Sequence, residues 1–148
     1  ADALTPAFAL GTMFGRVGCF LNGCCYGHPT SLPWGVVFPP DSFAGLEYGN
    51  VPVHPSQLYN ALAGLVLFTI VWLLRRRLSV PGTLFWWFVV AFAIVRVPLD
   101  LTRSYEPEAV LLHLGGIDAT ESQLTSVAMA AFGVLMLLRL NRTAPARA

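Results

Sequence analysis

The sequence contains no lysine and little charge of either sign. Only 11% of its 148 residues are charged, whereas ordinary soluble domains carry roughly 25%. Hydrophobic residues make up 55%, and the mean hydropathy is +0.63. All nine basic residues are arginine, and the formal net charge is +1. This balance gives no reason to expect nucleic-acid binding, and it is typical of an integral membrane protein.

The sequence also lacks a recognisable signal peptide and an initiator methionine. It opens with ADALTPAFALGTMF, which runs straight into an apolar helical pattern. We therefore expect residues 1–148 to form a single membrane domain that is the C-terminal part of a longer protein. No internal repeat or low-complexity tract is visible.

Four apolar segments predict transmembrane helices, because a helix needs about 20 residues to cross a bilayer. They cover residues 57–74, 82–101, 123–140 and, more weakly, 5–22, where Arg16 and several glycines interrupt the pattern. The predicted fold class is all-α, a polytopic transmembrane helix bundle of about four spans.

The placement of arginine predicts how this bundle is oriented. No basic residue occurs between Arg16 and Arg75. Basic residues follow the 57–74 segment and recur near the C-terminus: Arg75, Arg76, Arg77, Arg139, Arg142 and Arg147. By the positive-inside rule, the 75–81 turn and the C-terminus are cytoplasmic. The loops 23–56 and 104–120 then lie outside, and the first helix runs from inside to outside.

The long outer loop contains many prolines and glycines, together with a β-like run, WGVVF. This pattern predicts an ordered extracytoplasmic cap with a short β-hairpin at the membrane surface. The loop ends in HPSQLYNAL, where Pro55 and Ser56 are residue types that begin and cap helices. We therefore predict that a helix starts and is capped here.

Four charged residues fall in or near the predicted spans: Arg16, Arg96, Asp100 and Arg103. A charge inside a span costs at least about 2.5–3.5 kcal/mol, so it usually faces a cavity or a partner. Arg96 and Asp100 share a helix face because they are four residues apart. One carboxylate cannot neutralise three guanidiniums, and the surplus charge predicts a bound anion such as a lipid phosphate. In the alternative, Asp100 neutralises one arginine and the others, Arg103 above all, extend to the headgroups.

All three cysteines lie in the stretch GRVGCFLNGCCYG. With His28 they form the pattern C-x4-C-C-x2-H, which is not a standard zinc spacing. A disulfide from Cys19 to Cys24 or Cys25 and a metal site are both open alternatives. Our prediction is that the cysteines are small packing residues around a cavity, with no metal and no cofactor.

Several motifs occur in a familiar order: GRVGCFLNGCCYG, PWGVVFP, HPSQLYNAL, RVPLDLTR and ESQLTS. Together they resemble the C-terminal half of prolipoprotein diacylglyceryl transferase, over about residues 3–138. The resemblance implies a seven-helix enzyme of the bacterial inner membrane. Its substrates would be the membrane lipid phosphatidylglycerol and a prolipoprotein signal peptide with a lipobox cysteine. The diacylglyceryl group would pass to that cysteine thiol with release of glycerol 1-phosphate.

The resemblance also implies roles for individual residues. Arg16 corresponds to the phosphatidylglycerol-binding arginine, Arg96 matches the second essential arginine, and Asp100 stands where the family usually has Glu. These three are the predicted catalytic residues. The predicted substrate-binding residues are Arg16, Gly18, Asn22, Gly27, His54, Gln57, Tyr59 and Arg103.

The sequence departs from the family pattern GR-x-G-N-F-x-N-G-E at two positions. Cys19 replaces the Asn and Cys24 replaces the Glu, while Phe92 occupies the place of a tyrosine. The HGG segment of the family belongs to the N-terminal half and is not in this sequence. Two alternatives therefore stay open: an inactive lipid-binding paralogue, and a membrane thiol or metal-binding protein that uses Cys19, Cys24 and Cys25.

Overall fold

The computed structural model describes residues 1–78, 80–103, 110–114 and 117–143, with only the backbone described over 110–119. The chain forms five helices and a two-stranded antiparallel sheet in these ranges. The helices are α1 (Thr5–Leu21), α2 (Phe43–Tyr48), α3 (Ser56–Leu74), α4 (Thr83–Asp100) and α5 (Glu121–Thr143). The strands are β1 (Val110–Leu114) and β2 (Ile117–Thr120).

Three of these helices are long and apolar enough to cross a membrane: α3, α4 and residues 121–142 of α5. The predicted helical membrane class is therefore confirmed. The predicted segments 57–74, 82–101 and 123–140 match these helices within two or three residues at each end. Helix α1 has 17 residues and is about 25 Å long, slightly shorter than the roughly 30 Å hydrocarbon core. A fourth span at α1 stays a prediction.

Small residues let the helices approach closely in two pairs. A Cβ on Gly64 of α3 would lie 3.0 Å from the backbone nitrogen of Met13 on α1. A Cβ on Gly133 of α5 would lie 2.7 Å from Cγ2 of Val90 on α4. In the absence of a hydrophobic driving force inside lipid, such close backbone contact is a main source of helix association. The bundle is therefore built from the pairs α1/α3 and α4/α5, with α3 also against α4.

One end of the bundle is held together by Asp2. Its Oδ2 accepts a hydrogen bond from the backbone N–H of Gly82 at 2.7 Å, and its Oδ1 accepts one from Phe85 at 2.9 Å. A Cβ on Gly82 would also lie 3.6 Å from Cδ1 of Leu140 in α5. The starts of α1 and α4 and the end of α5 therefore meet here, together with the arginine-rich turn after α3. The arginine placement predicts that this common end is cytoplasmic, and we call it the inner end.

We expect Asp2→Ala to destabilise the protein by about 1–2 kcal/mol, because Asp2 caps α4 from another part of the chain. The substitution leaves two N–H groups at the start of α4 without acceptors. Thermal unfolding in detergent, followed by circular dichroism, measures the effect. Asp2→Asn is the matched control, and it should lose less stability because its amide oxygen still accepts one hydrogen bond. Equal stability of Asp2→Ala and the wild-type protein would contradict the capping role.

Large apolar side chains cover the outside of the long helices. More than half of the side chain is exposed at Leu62 and Leu73 on α3, at Ile94 on α4, and at Val127 and Phe132 on α5. Exposed apolar surface of this extent is unfavourable in water, and it marks a membrane or an interaction surface. The side chains that face away from the bundle therefore suit contact with lipid.

The cap over the other end, the outer end, differs from the prediction. WGVVF does not form a hairpin, because Val36 makes only a single bridge to Val53. Pro39 and Pro40 follow at once, and proline cannot donate the N–H groups that extend a ladder. The hairpin lies instead in the other outer loop, where β1 pairs with β2.

The long outer loop packs on a small core of its own. Phe38, Ala44 and Val53 are buried there, and Phe20 and Tyr26 pack against them. Helix α2 was not predicted; its N-terminus is capped by the side chain of Ser42, which accepts a hydrogen bond from Gly45. The predicted ordered cap is therefore present, with a short helix where no helix was expected.

Candidate active site

Three segments of the chain meet at the outer end: the loop after α1, the start of α3 and the end of α4. The backbone N–H of Gly27 donates to the carbonyl of His54 at 2.9 Å, and that of His28 donates to the carbonyl of Thr102 at 3.2 Å. Gly27 and Arg103 also form an antiparallel bridge. The predicted site residues Gly27, His54 and Arg103 are therefore brought together.

Ser56 strengthens this junction instead of capping its helix. Its side chain is fully buried, and its Oγ donates to the carbonyl oxygen of Thr102 at 3.0 Å. Pro55 occupies the N-cap position, and no side chain caps α3. The capping role predicted for Ser56 is wrong, because the close approach of α4 offers its hydroxyl an acceptor.

Gln57 lies fully buried one residue further along α3. Its Nε2 donates to the carbonyl oxygen of Cys24 at 2.7 Å, which holds the loop after α1 against α3. Among the described residues, its buried Oε1 has no hydrogen-bond partner. A buried acceptor without a donor costs about 1–3 kcal/mol. Gln57 therefore has both a structural contact and capacity to accept one further donor.

Tyr59 links α3 to the outer loop through its hydroxyl group. The hydroxyl accepts a hydrogen bond from Nε1 of Trp34 at 2.9 Å, and it lies 3.1 Å from Nδ1 of His54. These contacts hold the phenol in one position at the outer end of the bundle.

Arg96 lies on α4 beside a cavity of about 440 Å³ between α4 and α5. Its Nε donates to Oγ of Ser122 at 2.8 Å and lies 3.9 Å from a carboxylate oxygen of Asp100. The predicted pairing with Asp100 is therefore present, and Ser122 adds a partner from α5. Within the described residues, the two terminal nitrogens of Arg96 have no hydrogen-bond partner. The planar fork of the guanidinium thus remains available beside the cavity.

Arg16 lies on α1, the helix that packs closely against α3. Met13 and Arg16 share a face of α1, and Gly64 and Asn60 share a face of α3, because their spacings are three and four residues. Helices α1 and α3 touch at Met13 and Gly64 and run in opposite directions. Arg16 and Asn60 therefore each lie one turn nearer the outer end. Asn60 and Arg96 line one small cavity between α3 and α4.

The guanidinium of Arg16 is half-buried, and it has no hydrogen-bond partner among the described residues. The remaining predicted site residues, Gly18 and Asn22, lie at the exposed end of α1. The backbone N–H of Asn22 donates to the carbonyl of Gly18 at 3.0 Å, as expected at a helix end. Their predicted lipid contacts stay a prediction.

The end of α1 brings the thiols together through a Schellman motif. Gly23 adopts φ of 65°, and its N–H donates to the carbonyl of Phe20 at 3.1 Å. The N–H of Cys24 donates to the carbonyl of Cys19 at 3.1 Å. This motif brings the third-last residue of the helix, here Cys19, into side-chain contact with the second residue after the C-cap, here Cys24. Cys25, at φ of 60°, completes the group.

The three cysteines are free thiols whose Sγ atoms all lie within 4.8 Å of one another. All three are half-buried. Burial raises the pKa of Cys24, but hydrogen bonds with Asn22, Cys25 and Cys19 outweigh it, so this pKa lies below its ordinary value. The cysteines are thus a cluster of thiols, which goes beyond the predicted packing role.

Comparison with known proteins identifies the family. The family model of prolipoprotein diacylglyceryl transferase matches residues 1–139. The chain belongs to this family.

Curated relatives carry the same description. A phosphatidylglycerol–prolipoprotein diacylglyceryl transferase of Solidesulfovibrio magneticus is 39% identical over 140 residues, which cover 94% of this chain and 50% of the relative. The protein of that name from Geobacter sulfurreducens is 39% identical over 143 residues, covering 96% and 51%. That from Nitratidesulfovibrio vulgaris is 38% identical over 144 residues, covering 97% and 51%. The chain therefore spans about half the length of the curated relatives it matches.

Membership of the prolipoprotein diacylglyceryl transferase family confirms the resemblance deduced from the motifs. The match includes the arginines of α1 and α4 and the junction at the outer end. Three contacts in this region were not predicted: Asn60 lines a cavity with Arg96, Ser122 binds Arg96, and Ser56 binds the carbonyl of Thr102 after α4. Asn60 and Ser56 fall within HPSQLYNAL and Ser122 within ESQLTS, so the motifs contained them without indicating their contacts.

Proposed function

We propose that this chain supplies the phosphate-binding half of a phosphatidylglycerol–prolipoprotein diacylglyceryl transferase. The observation that supports this most directly is the pair of arginines, Arg16 on α1 and Arg96 on α4, two helices that each pack against α3. Neither terminal fork has a hydrogen-bond partner among the described residues, and Arg96 faces a cavity. Arginine binds phosphate oxygens through two parallel hydrogen bonds. An anionic lipid headgroup is the anion most abundant at that depth.

In the proposed reaction, Arg16 and Arg96 hold the phosphate of phosphatidylglycerol. The acceptor thiolate attacks the glyceryl carbon while the bond from that carbon to the phosphate oxygen breaks. Negative charge grows on the departing glycerol 1-phosphate, and fixed guanidiniums in a site of low dielectric constant stabilise it. Asp100 and Ser122 orient Arg96, because both contact its Nε.

The other predicted residues are proposed to shape the headgroup site. Tyr59, positioned by His54, offers a hydrogen bond to the glycerol, and so does Gln57, whose Oε1 has no partner in the described part of the chain. Asn22 and Arg103 offer further polar contacts. Gly18 allows the headgroup to approach the backbone, and Gly27 allows the segments that begin α3 and follow α4 to do so.

The acceptor is proposed to be the lipobox cysteine in the signal peptide of a prolipoprotein. The site then faces outward from the bacterial inner membrane, which agrees with arginines at the inner end. We also propose that the chain works as a single membrane domain within a longer seven-helix protein. The cavity beside Arg96 would be completed there by helices from the rest of that protein.

A transfer assay tests this function. The complete protein that contains this chain is reconstituted with phosphatidylglycerol labelled in its diacylglyceryl group, and a lipobox peptide is added. We expect labelled thioether on the peptide and an equal amount of glycerol 1-phosphate. A peptide with Ser in place of the lipobox cysteine is the control and should remain unlabelled. Phosphatidylglycerol that binds but is never turned over would instead identify a lipid-binding paralogue and disprove the transferase.

A further inference from the structure

The three thiols at the end of α1 are arranged as a set of metal ligands. A zinc–sulfur bond is about 2.3 Å long, so tetrahedral thiolates around one ion lie about 3.8 Å apart. The Sγ atoms of Cys19, Cys24 and Cys25 are all within 4.8 Å of one another. Bringing them onto one ion therefore needs movements of less than about 1 Å, which side-chain rotation supplies.

The backbone around these thiols is already held in place. The Schellman motif fixes Cys24 over Cys19, and Gln57 binds the carbonyl of Cys24 at 2.7 Å. A Cβ on Gly23 would lie 2.6 Å from Cβ of Ser42, so the turn is packed tightly against the cap. Metal binding would thus require little ordering of the chain. From the sequence a metal site was only an open alternative, because the spacing C-x4-C-C-x2-H is not a standard zinc pattern; in the structure the exposed His28 is outside the group.

We propose that Cys19, Cys24 and Cys25 bind one thiophilic divalent cation of the zinc type, with the fourth coordination position open. Three protein ligands with one open position are the arrangement of catalytic zinc sites, whereas structural sites use four. Three sulfur ligands select a soft or borderline cation over magnesium or calcium. The cation and three thiolates carry a net negative charge, and Arg16, one turn before Cys19 on the same face of α1, offsets it.

The open position suits the acceptor thiol, and this part of the inference rests on the proposed transferase function. A thiol that coordinates such an ion loses its proton to water and stays a thiolate at neutral pH. The bound sulfur then forms its bond to the glyceryl carbon as the carbon–oxygen bond breaks, and the phosphate oxygen keeps that electron pair. The product is a neutral thioether, a weaker ligand, which leaves the ion. The electrons balance without an oxidant.

A disulfide between Cys19 and Cys24 is the competing fate of this cluster. It would remove two electrons and two protons, and it would need an external thiol oxidant. It would also leave a single free thiol, Cys25, with no open three-sulfur site. The two fates are therefore mutually exclusive and give different chemical readouts.

Metal analysis of the complete purified protein tests the proposal without measuring transfer. We expect about one zinc ion per chain, and Co²⁺ in its place should show thiolate-to-metal charge transfer. Cys19→Ser, Cys24→Ser and Cys25→Ser should each weaken binding more than about 100-fold, because even outer-shell substitutions cost about 10–100-fold. Adding a lipobox peptide should change the Co²⁺ spectrum, and the peptide with Ser at that position should not.

His28→Ala is the matched control and should keep the ion, because His28 lies outside the thiol group. Circular dichroism of each variant separates loss of metal from loss of fold, and chelation of the wild-type protein gives the same information without a substitution. A Cys19–Cys24 disulfide in the purified protein, or metal retained after replacing all three cysteines, would overturn the site. Transfer by a metal-free protein would reject the metal site and support the transferase function. Bound metal without transfer would support the metal site and reject the transferase function.

Discussion

Arg16→Ala and Arg96→Ala are each expected to lower diacylglyceryl transfer by about 10²–10³-fold, the usual effect of removing a group that stabilises charge in a transition state. Both guanidiniums have free terminal nitrogens within the described part of the chain, so each substitution deletes a possible phosphate contact. The measurement is the rate of thioether formation on the lipobox peptide at saturating phosphatidylglycerol. The transfer rates of Arg16→Lys and Arg96→Lys should lie between those of the alanine variants and the wild-type protein, because lysine keeps the charge but loses the two-point contact.

Arg75→Ala is the matched control for these arginines. Arg75 lies over the ring of Trp72, with its Cζ 3.2 Å from the ring centroid, just beyond the inner end of α3. Its loss should leave the rate of transfer within about twofold, since a cation–π contact at an exposed site contributes about 0.5–1 kcal/mol to stability and nothing to the reacting centre. Unchanged transfer in both Arg16→Ala and Arg96→Ala would refute the phosphate-binding role.

Gly27→Ala is expected to cause a large loss of stability at the junction of the outer end. A Cβ on Gly27 would lie 2.3 Å from the carbonyl oxygen of Thr102, 2.4 Å from Oγ of Ser56 and 2.5 Å from Cβ of His54. Two of these contacts are to groups held by hydrogen bonds between α3 and α4, so the junction must open. Overpacking costs about 1–3 kcal/mol and sometimes more; we expect at least about 3 kcal/mol, measured by thermal unfolding in detergent.

The same substitution should also reduce transfer by more than about 10-fold, because the junction positions His54 and Tyr59. Gly11→Ala is the matched control, since a Cβ at Gly11 would lie more than 4 Å from every described atom outside the nearby backbone of its own helix, and it should be neutral or slightly stabilising in a helix. Wild-type stability for Gly27→Ala would show that the junction relaxes easily, and the proposed arrangement of the site would have to be revised.

The long helices were predictable because they depend on local properties of the chain. Apolar length decided α3, α4 and α5, and the arginine clusters at 75–77 and 139–142 predict which end is inner. The pairing of Arg96 with Asp100 was also local, since a spacing of four residues on a helix brings two side chains onto one face. The motifs were enough to indicate the family.

The errors arose where a local signal competed with a distant partner. Ser56 has the chemistry of a helix cap, but the carbonyl of Thr102 lies within reach and takes its hydroxyl. WGVVF has the composition of a strand, but its potential partner contributes a single bridge at Val53. Neither outcome follows from a window of neighbouring residues.

By itself, the sequence determined a helical membrane protein of this family with embedded arginines, because hydropathy, charge and motif order are properties of the chain alone. Only the tertiary structure decided that α1 and α4, which carry Arg16 and Arg96, both pack against α3, and that Ser122 holds Arg96. It also decided that three cysteines gather at the end of α1. The physical reason is that some of these contacts join residues far apart in the chain, and the others join residues on either side of a turn. The distances between these residues depend on how the helices cross and how the backbone reverses.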